Sequence, residues 1–262
     1  MPEPTSYDPG TFCWADLVVP DLDAARTFYG GLYGWEFQTE ATPGGEYVMA
    51  FKNGKVVAGI GQPVSDDESI AWNTYVRVDD VDATAATAAD LGGAVVVDPT
   101  DAMEAGRLAF IAAPGGETFG LWQPKNHSGA GLVGEHGSVV WNELMTRDLP
   151  KTVDFYSGLL GWTVRTGPVP GTDMEYSVAN AGDTMAAGIA TMDDNSPPDM
   201  APHWLIYFEV DDCEASAAAV KDLGGTVLVP PMSVPDIGTF ATIQDPGGAV
   251  SAIMTSAPMP SS

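Results

Sequence analysis

Apolar and polar positions follow the same succession of patterns four times along the chain. Residues 12–19 alternate in the manner of a half-buried strand, and Asp21 then stands where a helix N-cap is expected. The helix has an apolar stripe formed by Ala24, Ala25, Phe28, Tyr29 and Leu32. Gly34 ends it, and short strands are predicted at 35–40, 45–51 and 55–61 between glycine-containing turns. This order of elements predicts a βαβββ module.

The same order returns from Trp72. A strand runs to Val78, Asp80 or Asp82 begins an alanine-rich helix, and Gly92-Gly93 closes it. Strands are predicted near 94–98, 107–112 and 117–123, and the whole first half returns as two modules at about 138–190 and 203–255.

Short motifs of the first half return in the second half, and the spacing is constant over long stretches of the chain. Trp-Ala-Asp-Leu at 14–17 returns as Trp-Asn-Glu-Leu at 141–144, which is 127 residues later, and the later motifs return after 132 residues. Such constancy across a strand, a helix and several turns indicates a duplicated domain. We predict an α+β protein in which four βαβββ modules form two domains, at 11–124 and 138–255. The glycine-rich segment 125–137 is the predicted linker.

The first strand of each half has two different faces. The face expected to pack under the helix is small and apolar, with Cys13, Ala15, Leu17 and Val19. The other face places Asp16 two residues after Trp14. The second half places Glu143 two residues after Trp141, followed on the same face by Met145.

A carboxylate in mid-strand is costly to bury unless it is hydrogen-bonded or used. In one interpretation, Asp16 and Glu143 are structural acceptors for turn amides or an indole N–H. In the other, each is a polar group on the wall of an aromatic cavity, where it anchors a ligand or moves a proton. The matching strands of the second modules are expected to add Trp72 with Thr74, and Trp204, to those walls.

Charge and composition narrow the classes of partner. Ten basic and 36 acidic residues give a formal charge of −26, which disfavours nucleic acid and anionic membranes. The acidity serves solubility in one interpretation and attracts a cationic ligand in another. No apolar run approaches the roughly 20 residues that span a bilayer, and no secretory signal pattern is present. With Cys13 and Cys213 at unmatched places, we expect reduced thiols and a cytoplasmic protein.

Several motifs together resemble the vicinal oxygen chelate superfamily, which includes glyoxalase I, bleomycin-resistance proteins, fosfomycin-resistance enzymes and extradiol dioxygenases. They are an Asp-Leu helix cap at 21–22, Phe-Tyr at 28–29, Leu-x-Gly-Trp at 32–35 and a Pro-Gly-Gly turn at 114–116. The resemblance covers 11–255 and is nearest to the tandem two-domain actinobacterial type, whose members are called glyoxalase-like or hydroxylase. It implies curved mixed sheets around concave pockets.

Metal-using members of that superfamily carry His or Glu ligands on the first and last strands of a module. The resemblance places those positions at Trp14, Trp72, Gly120, Trp141, Trp204 and Ala252. Side chains of these types do not coordinate a divalent ion. His127 and His136 fall in the predicted linker, and His203 adjoins Trp204. We therefore expect no metal, and no cofactor either, since no dinucleotide-binding fingerprint is present.

Three functions remain open at this point. The first is metal-independent binding of a small organic molecule, aromatic or cationic, by aromatic-walled pockets with one carboxylate each. The second is a metal-independent hydroxylase, isomerase or lyase that uses Asp16 or Glu143 as general base. The third is an interaction protein whose cavities are filled. Four modules in one chain are compatible with a monomer or a homodimer.

Overall fold

The computed structural model describes residues 4–42, 45–65, 69–169, 175–192 and 196–258. The elements of the first half are β1 (Phe12–Val18), α1 (Leu22–Tyr33), β2 (Glu36–Thr42), β3 (Gly45–Lys52), β4 (Lys55–Gly61), β5 (Ala71–Arg77), α2 (Val81–Asp90), β6 (Ala94–Ala102), β7 (Gly106–Ala112) and β8 (Thr118–Pro124). Those of the second half are β9 (Val139–Thr146), α3 (Leu149–Leu160), β10 (Thr163–Pro168), β11 (Glu175–Ala181), β12 (Thr184–Thr191), β13 (His203–Glu209), α4 (Cys213–Asp222), β14 (Thr226–Val234), β15 (Gly238–Gln244) and β16 (Val250–Ser256).

Each half of the chain forms one eight-stranded mixed sheet, which confirms the predicted fold class. The first sheet has the order β2-β3-β4-β1-β5-β8-β7-β6, and the second repeats it as β10-β11-β12-β9-β13-β16-β15-β14. The two modules of a half join where their first strands pair antiparallel at the centre of the sheet. The first sheet curls strongly into a half-barrel, so one of its faces is concave.

Helix caps act as the sequence predicts. The carboxylate of Asp21 accepts the backbone N–H groups of Asp23 and Ala24, and Gly34 ends α1 in the left-handed region at φ 67°. Between the two candidates for the N-cap of α2, the structure selects Asp80, whose carboxylate accepts the N–H of Ala83 at 2.9 Å. Within the described ranges, no helix is both long and apolar enough to cross a membrane.

A β-bulge changes the face of the sheet on which the first residues of β1 lie. The register between β1 and β5 shifts between Phe12 and Trp14. As a result Cys13 packs in the same cluster as Trp14, and Phe12 turns to the other side, where its ring lies 4.8 Å from that of Trp204. The prediction that Cys13 packs under the helix is wrong, because it assumed strict alternation and a bulge adds one residue to a strand.

The two domains pack through their helices and through the central strands β5 and β13. Helix α1 contacts α4, and α2 contacts α3. Glycine allows this close approach: a Cβ atom on Gly31 of α1 would lie 2.6 Å from a methyl carbon of Leu223, at the end of α4. The apolar core around α1 therefore continues into the second domain, with Phe208, Cys213 and Val220.

A buried tyrosine on each side of this domain interface forms a hydrogen bond to a carboxylate of the other domain. The hydroxyl of Tyr29 on α1 donates to Asp245 at 2.9 Å and accepts the indole N–H of Trp72 at 3.0 Å. Asp245 belongs to the other domain, and its second oxygen accepts the N–H groups of Gly248 and Ala249. The carboxylate is thus hydrogen-bonded on both oxygens although its residue is 5% exposed.

The opposite side of the interface repeats the arrangement with a carboxylate from a different sequence position. Tyr156 on α3 donates to Glu117 at 3.3 Å and accepts the indole N–H of Trp204 at 3.2 Å. Glu117 follows the Pro-Gly-Gly turn of the first domain, whereas Asp245 precedes that of the second. The Oε2 atom of Glu117 is buried without a hydrogen-bond partner among the described residues, and Glu117 lines an interdomain cavity of about 260 Å³.

Replacing Glu117 by glutamine is expected to remove part of the pH dependence of stability. Burial raises the pKa of Glu117, against the lowering effect of the hydrogen bond from Tyr156. As pH rises from below the ordinary glutamate pKa towards the raised value, the unfolded chain loses this proton first. The free energy of unfolding therefore falls over that interval and stays lower above it.

Urea denaturation of the wild type and Glu117→Gln across this pH range checks the expectation. The difference in unfolding free energy should grow in favour of the variant as pH rises and then level off. Glu36→Gln, at an exposed position on β2, is the matched control. A difference that stays constant with pH would contradict the assignment.

Candidate functional site

The concave face of the first sheet encloses a cavity of about 760 Å³. Its carboxylate-bearing lining residues besides Asp16 are Glu40 of β2, Asp101 of β6 and Glu104 in the turn between β6 and β7. The lining residues are Trp14, Asp16, Glu40, Thr42, Tyr47, Met49, Tyr75, Asp101, Ala102, Met103, Glu104, Ala105, Leu108, Trp122, Asn126 and His127. The cavity therefore combines aromatic walls with several carboxylates.

Asp16 lies at the centre of this face and is held by side chains from β3 and β5. Its Oδ2 accepts the hydroxyl of Tyr75 at 2.8 Å and that of Tyr47 at 3.3 Å, and its Oδ1 accepts the side-chain amide of Asn73 at 3.0 Å. The indole of Trp14 donates to the Tyr47 hydroxyl at 3.2 Å. The carboxylate is thus oriented by donors and still lines open volume.

Glycines make room for the two tyrosines. A Cβ atom on Gly59 of β4 would lie 1.8 Å from the Tyr47 hydroxyl oxygen, and one on Gly120 of β8 would lie 2.2 Å from the Tyr75 ring. Both strands therefore need glycine opposite the tyrosines. Burial, and then the adjacent Asp16 carboxylate, raise the pKa of Tyr47 well above its ordinary value, so that its hydroxyl remains a donor.

The second domain repeats the constellation around Glu143. Its carboxylate accepts the hydroxyls of Tyr176 at 2.6 Å and Tyr207 at 2.9 Å, and the Trp141 indole donates to the Tyr176 hydroxyl at 3.0 Å. Burial raises the pKa of Glu143, against the lowering effect of the two tyrosine hydroxyls. Met145 shares this face and is half-buried.

Sequence reasoning missed these tyrosines. Tyr75 and Tyr207 occupy identical places in the repeat, 132 residues apart, and could have been found from it. Tyr47 and Tyr176 were harder to find, because they lie on strands separated from Asp16 and Glu143 by a helix and a further strand.

Three residues predicted for the pocket walls lie on the opposite face of their sheets. Residue Asn73, not Trp72 or Thr74, pairs with Asp16 across β1 and β5, so Asn73 shares the concave face. Trp72 is buried against Tyr29, and Thr74 donates to Asn142 across the domain interface at 2.7 Å.

In the second sheet, the residue next to Trp204 shares the face of Glu143. Leu205 pairs with Glu143, so Trp204 points to the helical layer, where it meets Tyr156. A one-residue change of register moves every side chain to the other face, and the sequence alone did not fix the register of these strands.

The linker segment brings a histidine into the cavity. His127 was assigned to the linker and given no place in a site, but its imidazole lines the cavity wall. The ring is edge-on to Trp14, with centroids 4.4 Å apart, and lies 5.8 Å from the Trp122 ring. Burial lowers the pKa of His127, which keeps the imidazole neutral.

Each half of the chain pairs two βαβββ modules in one mixed sheet, and the first of these sheets curls around a concave site. The family model for the glyoxalase/bleomycin resistance protein/dioxygenase superfamily matches residues 11–121 and 138–252. The chain belongs to this superfamily.

Similar proteins agree in length and in fold. CFP32 of Mycobacterium tuberculosis, provisionally called a glyoxylase, is 38% identical over 98% of this chain and 99% of its own. The anthracycline biosynthesis protein DnrV of Streptomyces peucetius is 34% identical over 94% of this chain and 93% of its own. The Mn(II)-bound glyoxalase of Novosphingobium aromaticivorans shares the fold, with a TM-score of 0.63 at 18% identity, over 94% of this chain and 82% of that one.

The donor set of the cavity does not fit the divalent ion of metal-using members. Of the positions that the resemblance assigns to ligands, Trp14 and Gly120 lie on the concave face with Asp16 as the adjacent carboxylate. Among the residues that the structure describes, no group of three or more His, Cys, Asp and Glu side chains is arranged to hold a metal. A protein site for such an ion normally supplies three or four oxygen, nitrogen or sulfur ligands.

Proposed function

We propose that the protein is a metal-independent small-molecule binding protein, in which the first-domain cavity holds a planar aromatic ligand and Asp16 takes a positive or hydrogen-donating group. The observation that carries the proposal is the Asp16 carboxylate, oriented by three side-chain donors on the wall of an open, aromatic-lined cavity of about 760 Å³. Ligand sites are commonly concave and apolar, with few well-placed polar groups.

The charge around the cavity favours a cation over an anion. Asp16, Glu40, Asp101 and Glu104 all line it. Asp101 is partly neutralised by two cations, since its carboxylate oxygen lies 3.2 Å from the Lys125 ammonium nitrogen and 3.3 Å from the Arg107 guanidinium. Indole and phenol faces add an attraction for a positive group of about 0.5–2 kcal/mol.

The second domain supports a related site, since Glu143 has the same kind of tyrosine partners as Asp16: an indole-bonded tyrosine and a second tyrosine from the neighbouring strand, with Leu205 in the place of Asn73. Two of the relatives are named for anthracycline biosynthesis, which makes an anthracycline a natural member of a ligand panel.

An enzymatic role is the second candidate, and one observation favours it. The raised pKa of Glu143 is a property of general bases. As a metal-independent hydroxylase, isomerase or lyase, the protein would use Glu143 or Asp16 to take a proton from the bound substrate. Conversion of a bound panel compound, lost in Glu143→Gln or Asp16→Asn, would favour this candidate over binding alone.

Localisation and partners form part of the same proposal. Net charge −26 disfavours nucleic acid and membrane surfaces, and both cysteines are free thiols. We place the protein in the cytoplasm, as a monomer or homodimer that takes a small organic molecule as its partner.

Asp16→Asn is expected to weaken binding of a cationic tricycle such as proflavine by about tenfold. The substitution keeps the shape of the side chain and removes its charge, and a hydrogen bond to a charged group contributes about 1.5–3 kcal/mol. Quenching of intrinsic tryptophan fluorescence measures the affinity, and anthraquinone-2-sulfonate and an anthracycline complete the panel. Proflavine should bind the wild type more tightly than the anionic sulfonate.

Asp183→Asn, at an exposed turn of the second domain, is the matched control for the loss of one negative charge. Equal proflavine affinity in Asp16→Asn and the wild type, with only stability changed, would make Asp16 a structural acceptor. If no panel compound quenches the wild type, the binding proposal itself fails.

A further inference from the structure

Asn73 is an unusual residue for its place in the fold. It lies within β5, one of the two central strands of the first sheet, and asparagine is depleted in strands. The matching residue of the second domain, 132 positions later, is Leu205, which is 8% exposed. The fold therefore accepts an apolar side chain at this place, and the asparagine serves another purpose.

Strand pairing places Asn73 directly opposite Asp16. The two residues are register partners in the antiparallel pair of β1 and β5, and the Asn73 side-chain amide donates to Oδ1 of Asp16 at 3.0 Å. The hydroxyls of Tyr47 and Tyr75 donate to the other oxygen, Oδ2. Because donors hold both oxygens, the carboxylate is restrained against rotation about its Cβ–Cγ bond.

The second domain has the same strand pairing without the amide. Leu205 is the register partner of Glu143, whose carboxylate accepts the hydroxyls of Tyr176 and Tyr207. Burial raises the pKa of Glu143 in this setting, against the lowering effect of those hydroxyls. A hydrogen bond to the charged form of a carboxyl group favours that form. Glu143 thus lacks a donor of the kind that stabilises the ionised carboxylate of the first domain.

We propose that Asn73 is the positioning residue that adapts the first-domain site to cationic ligands: its amide holds the Asp16 carboxylate ionised and in one orientation, and Leu205 gives the Glu143 site no such donor. The inference rests on the proposed binding function. One place in the repeat then separates a site for cations from a site whose carboxyl group takes up a proton more easily than an exposed glutamate does.

The pH dependence of cation binding reports on this role. The titratable groups that contact Asp16 are Tyr47 of β3 and Tyr75 of β5, and those that further line the cavity are Glu40, Asp101, Glu104 and His127. All of them are present in the wild type and in an Asn73 variant alike. A difference between the two pH profiles therefore reports on Asp16.

Asn73→Leu is the test, because the second domain already has leucine at this place. Tryptophan fluorescence titration with proflavine, between about pH 4 and 8, gives the pH at which the affinity falls to half of its plateau. That pH should be about one unit higher in Asn73→Leu, since a hydrogen bond to a charged group changes such an equilibrium about tenfold. Asn73→Gln, which keeps a side-chain amide, should lie closer to the wild type. Asn180→Leu, at a half-buried position of β11 in the second domain, should match the wild type.

The reciprocal variant Leu205→Asn supplies a readout that does not depend on a ligand. Carboxyl-carbon NMR follows the titration of Glu143, with Glu143→Gln to assign the signal, and this titration should move to lower pH in Leu205→Asn. Asn73→Leu remains decisive if Leu205→Asn does not fold. Coinciding proflavine profiles of Asn73→Leu and the wild type, or an unmoved Glu143 titration in folded Leu205→Asn, overturn the inference. Failure of proflavine to bind the wild type contradicts the proposed function instead.

Discussion

Trp72→Ala is expected to lower the free energy of unfolding by about 4 kcal/mol and to leave the affinity of the cavity for proflavine unchanged. Removing a buried tryptophan side chain typically costs about 3–5 kcal/mol. Trp72 is 7% exposed, with its ring 4.9 Å from Phe208 of the second domain. Its loss also removes the indole N–H bond to the Tyr29 hydroxyl, which itself donates to Asp245.

Urea denaturation measures the stability change, and fluorescence titration under native conditions measures the affinity. Trp14→Ala is the matched comparison, because Trp14 is equally buried but lines the cavity. It should weaken proflavine binding, whereas Trp72→Ala should not. A folded Trp72→Ala protein that no longer binds proflavine would contradict this expectation and indicate that Trp72 contributes to the ligand site.

Gly59→Ala is expected to destabilise the first domain by about 3 kcal/mol and to weaken ligand binding with it. The added methyl group would lie 1.8 Å from the Tyr47 hydroxyl oxygen, so the tyrosine must move. The movement separates Tyr47 from Asp16 and from the Trp14 indole. Overpacking typically costs about 1–3 kcal/mol, and each lost hydrogen bond adds about 1 kcal/mol.

Gly61→Ala on the same strand is the control, since its Cβ atom would lie 3.5 Å from the Tyr47 ring, an ordinary contact distance. Thermal or urea denaturation should show a far smaller change for Gly61→Ala than for Gly59→Ala. In a Tyr47→Ala background the effect of Gly59→Ala should largely disappear, because the two residues then no longer collide. Additive effects of the two substitutions would contradict this explanation.

The repeat was the strongest source of prediction, and it succeeded where the determinants are local. Asp21 and Gly34 bound α1 as predicted, because capping depends on a few consecutive residues. The same repeat drew attention to Asp16 and Glu143, which occupy matching places in their sheets and have matching tyrosine partners.

Residues that depend on pairing between distant strands were harder to place. Trp72 follows the same alternation as Trp14 in sequence, yet Trp14 lies on the concave face and Trp72 in the domain interface. The antiparallel register of β1 and β5, with a bulge near Phe12, decides which of them faces the cavity.

By itself, the sequence determined the four modules, the helix caps, the two sheets and the carboxylate two residues after the first tryptophan of each half. These features follow from short-range periodicity and from comparison of the two copies. Only the tertiary structure decided which aromatic side chains wall the cavity, that tyrosines hold both carboxylates, and that a linker histidine enters the site. Those outcomes depend on strand register and on the path of residues 125–131, and both are set by contacts between residues far apart in the chain.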